Sequence, residues 1–175
     1  MFDNNTITRQ IYPSNKQISI LLRYFGISRY YHNHGVSLAR DCHRYTGIIL
    51  NHEQLTRHFN RLKQEPDYDY LSVLPETAIE TTLVELSQAL ASSFTDEQEF
   101  PKLKRKKGDQ SLTLEDKDFI FVEGEKFKLL APKGTKPVGT LQVDWGDNLL
   151  SIRPKQVTIT KEYRGKYHIH YTLDK

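Results

Sequence analysis

The sequence is poor in the features that most often announce a function. One cysteine, Cys42, occurs in 175 residues, so no disulfide framework can form within the chain, which suits a reducing cytoplasm. No apolar run approaches the ~20 residues a membrane helix needs, and residues 1–12 lack the apolar core of a signal peptide. The 9 glycines do not cluster into a phosphate-cradling loop, and no G-x-S-x-G elbow is present. The charge excess is small too. With 25 basic and 22 acidic residues the formal charge is +3, too little to argue for a nucleic-acid partner from the total alone. These absences leave an intracellular chain, long enough to bury a core in one large or two small domains.

What is there changes character along the chain. "TITRQIY" (6–12) is rich in β-branched residues and predicts a strand that Pro13 stops. From Ser14, an N-cap candidate, the period becomes helical: Ile18, Leu21, Leu22 and Phe25 fall at i, i+3, i+4 and i+7. This helix extends to about Tyr45. Gly26 and Gly35 inside it each cost roughly 1 kcal/mol relative to alanine, and so mark a kink or a close contact. A second helix fits 51–64, capped by Asn51, with Leu55, Phe59 and Leu62 on its apolar face; Pro66 and "DYDY" break it. A third starts at Pro75 with the stripe Ile79, Leu83, Leu86, Leu90 and Phe94.

After Phe94 the helical period is lost. A charged linker follows, and from residue 111 the segments "SLTL", "FIFV", "KFKLL", "GTLQVD", "QVTITKEY" and "KYHIHYTL" read as strands, with hairpin signatures around "EGE" and "RG". The expected fold is α+β. A small antiparallel β-barrel, with its first strand in 1–13 and the remainder in 111–175, is interrupted by a three-helix bundle over 14–95, and a basic linker spans 96–110.

Candidate chemistry is sparse. His32 and His34 flank Asn33, but residues two apart on a helix point about 200° away from each other, so they cannot chelate one ion. Cys42 and His43 do not add zinc spacing. The basic residues Arg40 and Arg44 near Cys42 favour a thiolate, yet a half-buried helical cysteine explains it as well. His168 and His170 share one face of a strand without a third ligand nearby. No metal, cofactor or catalytic set is expected. The strongest signal is "PKLKRKK" (101–107), five positive charges in seven residues. Each can neutralise a phosphate and release counterions, although a solvated linker has the same composition. Arginines together with ten tyrosines suit phosphate contact plus base stacking.

Several segments, taken in order, resemble one family. Tyr12, Pro13, Gln17, Gly26, Arg29, Tyr30 and Asn33 match the opening of the transposon-encoded TnpB (OrfB) proteins, in which a strand ending in Y-P leads into Q and an apolar helix with G-x-x-R-[FY]-x-x-N. Leu62 and Lys63 match a later L-K. Phe100, Pro101, Lys102, Leu103, Lys104 and Ser111 match its F-P-basic segment, and Gly165, Lys166 and Tyr167 its closing hairpin. Each piece is weak; their order and spacing cover nearly the whole chain.

The resemblance implies a wedge-like barrel with an inserted helical recognition domain, gripping a transposon-end guide RNA and a short flanking DNA motif. In that family a RuvC-like domain then cuts DNA. Here the sequence stops at "YHIHYTLDK", about where that domain begins, and its G-[IV]-D-x-G strand, later acids and zinc-ribbon cysteines do not occur. The expectation is therefore a binding module without nuclease activity: a shortened or decayed copy, or one that relies on a separate nuclease-bearing polypeptide or on self-association. Lys102, Lys104, Arg105, Lys106 and Lys107 are the expected phosphate contacts. Arg29 and Tyr30, if exposed, are expected to touch RNA or DNA, and Asn33 either to do so or to lock the helix on the barrel. His52 and Thr56 are candidates on the second helix. Glu76 and Glu80 depart from the family, because carboxylates repel phosphate where the third helix begins.

Overall fold

Threonine and isoleucine open the chain as β1 (Thr6–Ile11) in the computed structural model, which describes residues 6–95, 99–122, 126–146 and 154–172. Ser14 then starts α1 (Asn15–Thr46) through a capping box with Gln17; such a cap stabilises a helix by about 1 kcal/mol. The Gln17 side chain also reaches outward. Its Nε2 donates to the carbonyls of Val138 and Thr140 at 3.1 and 2.7 Å, which staples the first helical turn to β5 (Gly139–Leu141).

α1 runs unbroken through both interior glycines and stops at Gly47, whose left-handed φ of 71° lets its N–H reach the His43 carbonyl. The two glycines do different things. A Cβ on Gly35 would lie 2.5 Å from Leu86 Cδ2, with Leu55 and Phe59 at 3.8 Å, so a neighbouring helix presses directly on this backbone. A Cβ on Gly26 would meet only the Arg29 guanidinium, at 3.9 Å.

α2 (His52–Leu62) carries a second capping box, from Asn51 and Gln54. Residues Pro66–Val73, expected as a break, wind into a 3-10 helix. α3 (Glu76–Thr95) follows Pro75, whose side chain offers no acceptor. Its cap comes from across the molecule: Asp118 Oδ2 accepts from the Thr77 N–H at 2.9 Å and from the Thr77 hydroxyl at 2.6 Å. Thr77 Oγ1 accepts in turn from the Glu115 N–H at 2.9 Å.

The buried helical faces differ in part from the expected stripes. On α1 the core takes Leu21, Tyr24, Phe25, Ile27, Ser28 and Tyr31, while Leu22 is 46% exposed. α1 meets its neighbours over a wide sector, and Leu22 falls outside it. On α3 Leu83, Leu86 and Leu90 are buried as the period predicts, but Phe94, in the last turn of α3 against His43 of α1 and Phe100, is 37% exposed.

The chain returns to sheet at β2 (Gln110–Glu115), then β3 (Phe119–Val122), β4 (Lys126–Leu129), β5, β6 (Gln156–Lys161) and β7 (Tyr167–Thr172). One antiparallel sheet has the order β1-β7-β6-β2, the other β3-β4-β5. Both predicted hairpins pair, β3 with β4 and β6 with β7; the "EGE" turn lies outside the described residues. The sheets join at one corner, through an Ile11–Val143 bridge and the bonds Tyr12 N–H to Gln142 O and Asp144 N–H to Gln10 O, both 2.9 Å. Phe119, Phe121, Phe127, Trp145 and Tyr171 pack as an aromatic layer between them. Among the described residues no second ladder closes the strands, so the α+β fold holds two antiparallel sheets and not the closed barrel expected from the strand count. No described helix is long and apolar enough to cross a membrane.

Candidate nucleic-acid interface

The segment read as a linker is a strap pinned along α1. In an extended chain the groups at i and i+2 face the same way, and the strap uses this at Lys102 and Lys104. His32 Nε2 donates to the Lys102 carbonyl at 2.9 Å. Asn33 exchanges two bonds with Lys104: its Nδ2 donates to the carbonyl at 3.0 Å, and its Oδ1 accepts the backbone N–H at 2.8 Å. Further along, Arg29 Nη1 donates to Gln110 Oε1 at 2.8 Å. Gln110 Nε2 then donates to the carbonyls of Arg105, Gly108 and Asp109 and closes the turn. At the other end the Arg40 guanidinium lies 5.4 Å over the Phe100 ring.

Arg29, His32 and Asn33 stand at i, i+3 and i+4, one face of a helix. Every bond they make is to the strap backbone or to Gln110. The side chains of Lys102, Lys104, Arg105, Lys106 and Lys107 are all left exposed. Lys102 pairs with Glu99, whose carboxyl is held below its ordinary range by the hydrogen bond and the charge of Lys102. Burial holds the His32 pKa down, against the carbonyl bond that would raise it. His32 is thus neutral at pH 7, and its carbonyl partner fixes the proton on Nε2. His32, weighed from the sequence only as a metal ligand, holds the strap instead. The signal was its i+3 spacing from Arg29. Gln110 and the double role of Gln17 were missed, since nothing local marks either.

The other candidates lie elsewhere. Tyr30 is half-buried outside the strap contact. Its ring sits 5.3 Å from His34 and within 6.3 Å of Tyr68 and Tyr70. Its hydroxyl pKa is pushed up to about 12, by burial first and then by the neighbouring Tyr70 and Tyr68. The exposure on which a nucleic-acid contact by Tyr30 depends is thus only partial. His52 and Thr56 are tied to each other at 3.3 Å, and His52 Nε2 meets Glu80 Oε1 at 3.0 Å across α2 and α3. Neither is bonded to the strap, and the Glu80 carboxylate is engaged.

Beside the strap's end, a groove of about 390 Å³ crosses the outer face of the four-stranded sheet. His170 lies in it between two hydroxyls, Thr8 Oγ1 at 2.9 Å from Nδ1 and Thr160 Oγ1 at 2.8 Å from Nε2. His168 Nδ1 meets Glu162 Oε1 at 3.3 Å. The two histidines share a face as predicted. Among the described residues, no three His, Cys, Asp or Glu side chains converge as metal ligands would. Cys42 is a half-buried free thiol 3.5 Å from Thr46 Oγ1. Compared with known proteins, the chain matches no protein-family model and no curated protein.

Proposed function

We propose that the protein is a nucleic-acid-binding module in which the strap of residues 102–107 grips phosphates. The observation that carries this is the division of labour in the strap: its backbone is fixed on His32 and Asn33, and its five cationic side chains point into solvent. Anchoring the backbone beforehand lowers the ordering entropy that a loose basic tail would lose on binding. Arg29 acts through Gln110, holding the turn that presents Arg105 to Lys107.

The family resemblance supports a more specific form. In it the two sheets correspond to the wedge-like barrel of a TnpB-type protein, the helices to its recognition domain, and the ligands to a transposon-end guide RNA and flanking DNA. Binding, not cleavage, is assigned to these 175 residues. Glu76 is exposed at the start of α3, and it and Glu80 disfavour duplex phosphates there.

The test is fluorescence anisotropy with a structured RNA and a duplex DNA across a salt series. Reversing Lys104, Arg105, Lys106 and Lys107 to Glu should weaken binding and flatten the log–log salt slope by about 3.6 for duplex, from roughly 0.9 per phosphate contact. Unchanged affinity and slope would remove the strap from the interface. A second reading, a protein-interaction or self-associating domain, is favoured by the exposed Tyr45, Ile48, Ile49 and Phe94 at one end of the helices. Sedimentation velocity on the same samples separates the two, because only that reading predicts oligomers without nucleic acid.

A further inference from the structure

His34 on α1 and His58 on α2 meet at their ring nitrogens. The two Nε2 atoms are 2.9 Å apart, the ring centroids 5.1 Å apart, and the planes differ by 18°. Rings so disposed touch edge to edge, as N–H···N, and are not stacked face to face. The contact has one further member on α1: the Tyr30 hydroxyl lies 3.5 Å from His34 Nδ1, and Tyr30 in turn neighbours Tyr68 and Tyr70 of the 3-10 helix. With the Tyr30 O–H donating to Nδ1, His34 carries its proton on Nε2 and donates it to His58 Nε2. The donors thus run one way from Tyr30 through His34 on α1 to His58 on α2. The surroundings are apolar: Phe59 stands edge-on to both imidazoles at 5.5 and 5.4 Å, and Leu55 and Leu86 pack on the adjacent Gly35.

We propose that His34 and His58 form a proton-counting latch that holds α2 on α1. The neutral pair shares one N–H between the two Nε2 atoms. A first added proton settles on His34 Nδ1, where the Tyr30 hydroxyl turns from donor to acceptor, and leaves a charge-assisted N–H···N bond to His58 Nε2, which keeps the latch shut. A second places an N–H on each facing Nε2, two donors and two positive charges 2.9 Å apart with no acceptor between them, and the latch opens. The groups facing the pair reinforce this. They are Tyr30 from α1, Tyr68 and Tyr70 behind it, and Arg61 from α2, whose charge opposes protonation of His58; α3 contributes Leu86, which is uncharged. Both histidine pKa values are held below the ordinary 6.5, His34 by burial and then the charge of His58, His58 by burial and then Arg61. In the unfolded chain these imidazoles protonate normally. The unfolded state therefore holds more protons below pH 6.5, and the latch's stabilisation is full above that pH and is lost as pH falls through the lowered folded values.

The experiment is an NMR titration of the imidazole nitrogens in the full chain, with thermal melts at pH 7.5 and 5.0 for the wild type, His58→Gln and His34→Gln. The latch predicts coupled titration in the wild type, with two apparent pKa values more than about one pH unit apart. In either variant the remaining histidine should titrate once. The acid-induced fall in Tm should shrink by roughly 3 °C, the shift expected for a 1 kcal/mol change in a chain of this size. Two independent, equal titrations in the wild type would overturn the proposal, and so would variants that keep the full acid-induced fall. The wild-type titration decides even if a variant does not fold. None of these readouts involves nucleic acid, so the latch and the strap can fail separately.

Discussion

The helical part and the sheets are built on opposite terms. α1 and α2 are specified locally: each has its own capping box, and α1 its own left-handed glycine stop. The sheets are specified at a distance. β1 has no ladder partner until β7, which starts 161 residues after it, where Ile7 pairs with Tyr171 and Thr8 with His170. Local contacts form fast and non-local ones slowly, so the first strand waits on the last while the helices between them assemble. The comparison teaches where each region is vulnerable. The helices depend on how closely they pack against one another, and the sheets on the few bonds that tie them to those helices.

Three substitutions sharpen or break that contrast. Gly35→Val should have the largest effect. Its Cβ would enter the space of Leu86 Cδ2, and overpacking of this kind costs about 1–3 kcal/mol. Chemical denaturation should show a lowered midpoint with an unchanged m-value; an unchanged midpoint would mean that α3 can shift freely on α1. Asp118→Ala comes next, at roughly 1–2 kcal/mol, since it strands two donors at the start of α3. Hydrogen exchange read residue by residue then asks whether helices and sheets loosen together. Loosening of α3 alone would show that the Asp118–Thr77 contact is not what couples them. Gly26→Ala is the smallest, and its sign is reversed. With room for the methyl group, it should stabilise the protein by up to about 1 kcal/mol through helix propensity. A loss there would contradict the open environment of that position.

The same contrast explains what could be read from the sequence. The three α-helices, their start signals, the two hairpins and the interruption after the first strand all follow from period, caps and turns. One alternative weighed for the interior glycines, a close contact, holds at Gly35 and not at Gly26; no local pattern distinguishes them, because the difference is Leu86, 51 residues away. The exposure of Leu22 and Phe94 was also hidden, since a helical stripe gives a direction but not the width or length of what covers it. The strap was the least legible part. "PKLKRKK" reads as a linker until His32 and Asn33 are seen to hold its carbonyls. The open ladder was hidden because strands can be counted from a sequence, whereas closure depends on which edges meet.

The pairing of β1 with β7 has a mechanical consequence. The ladder runs from the Thr6–Thr172 rung to the Ile11–Tyr167 rung, so the first and last described residues lie side by side at one end of it, on the edge of the sheet. A pull on both ends would load that ladder one rung at a time, as a zipper opens, and not across all its bonds at once. Peeling would run from Thr6 toward Ile11 and then meet the corner where Tyr12 is bonded to Gln142, with the Gln17 staple immediately behind it. The helices would feel no tension until that corner gave way.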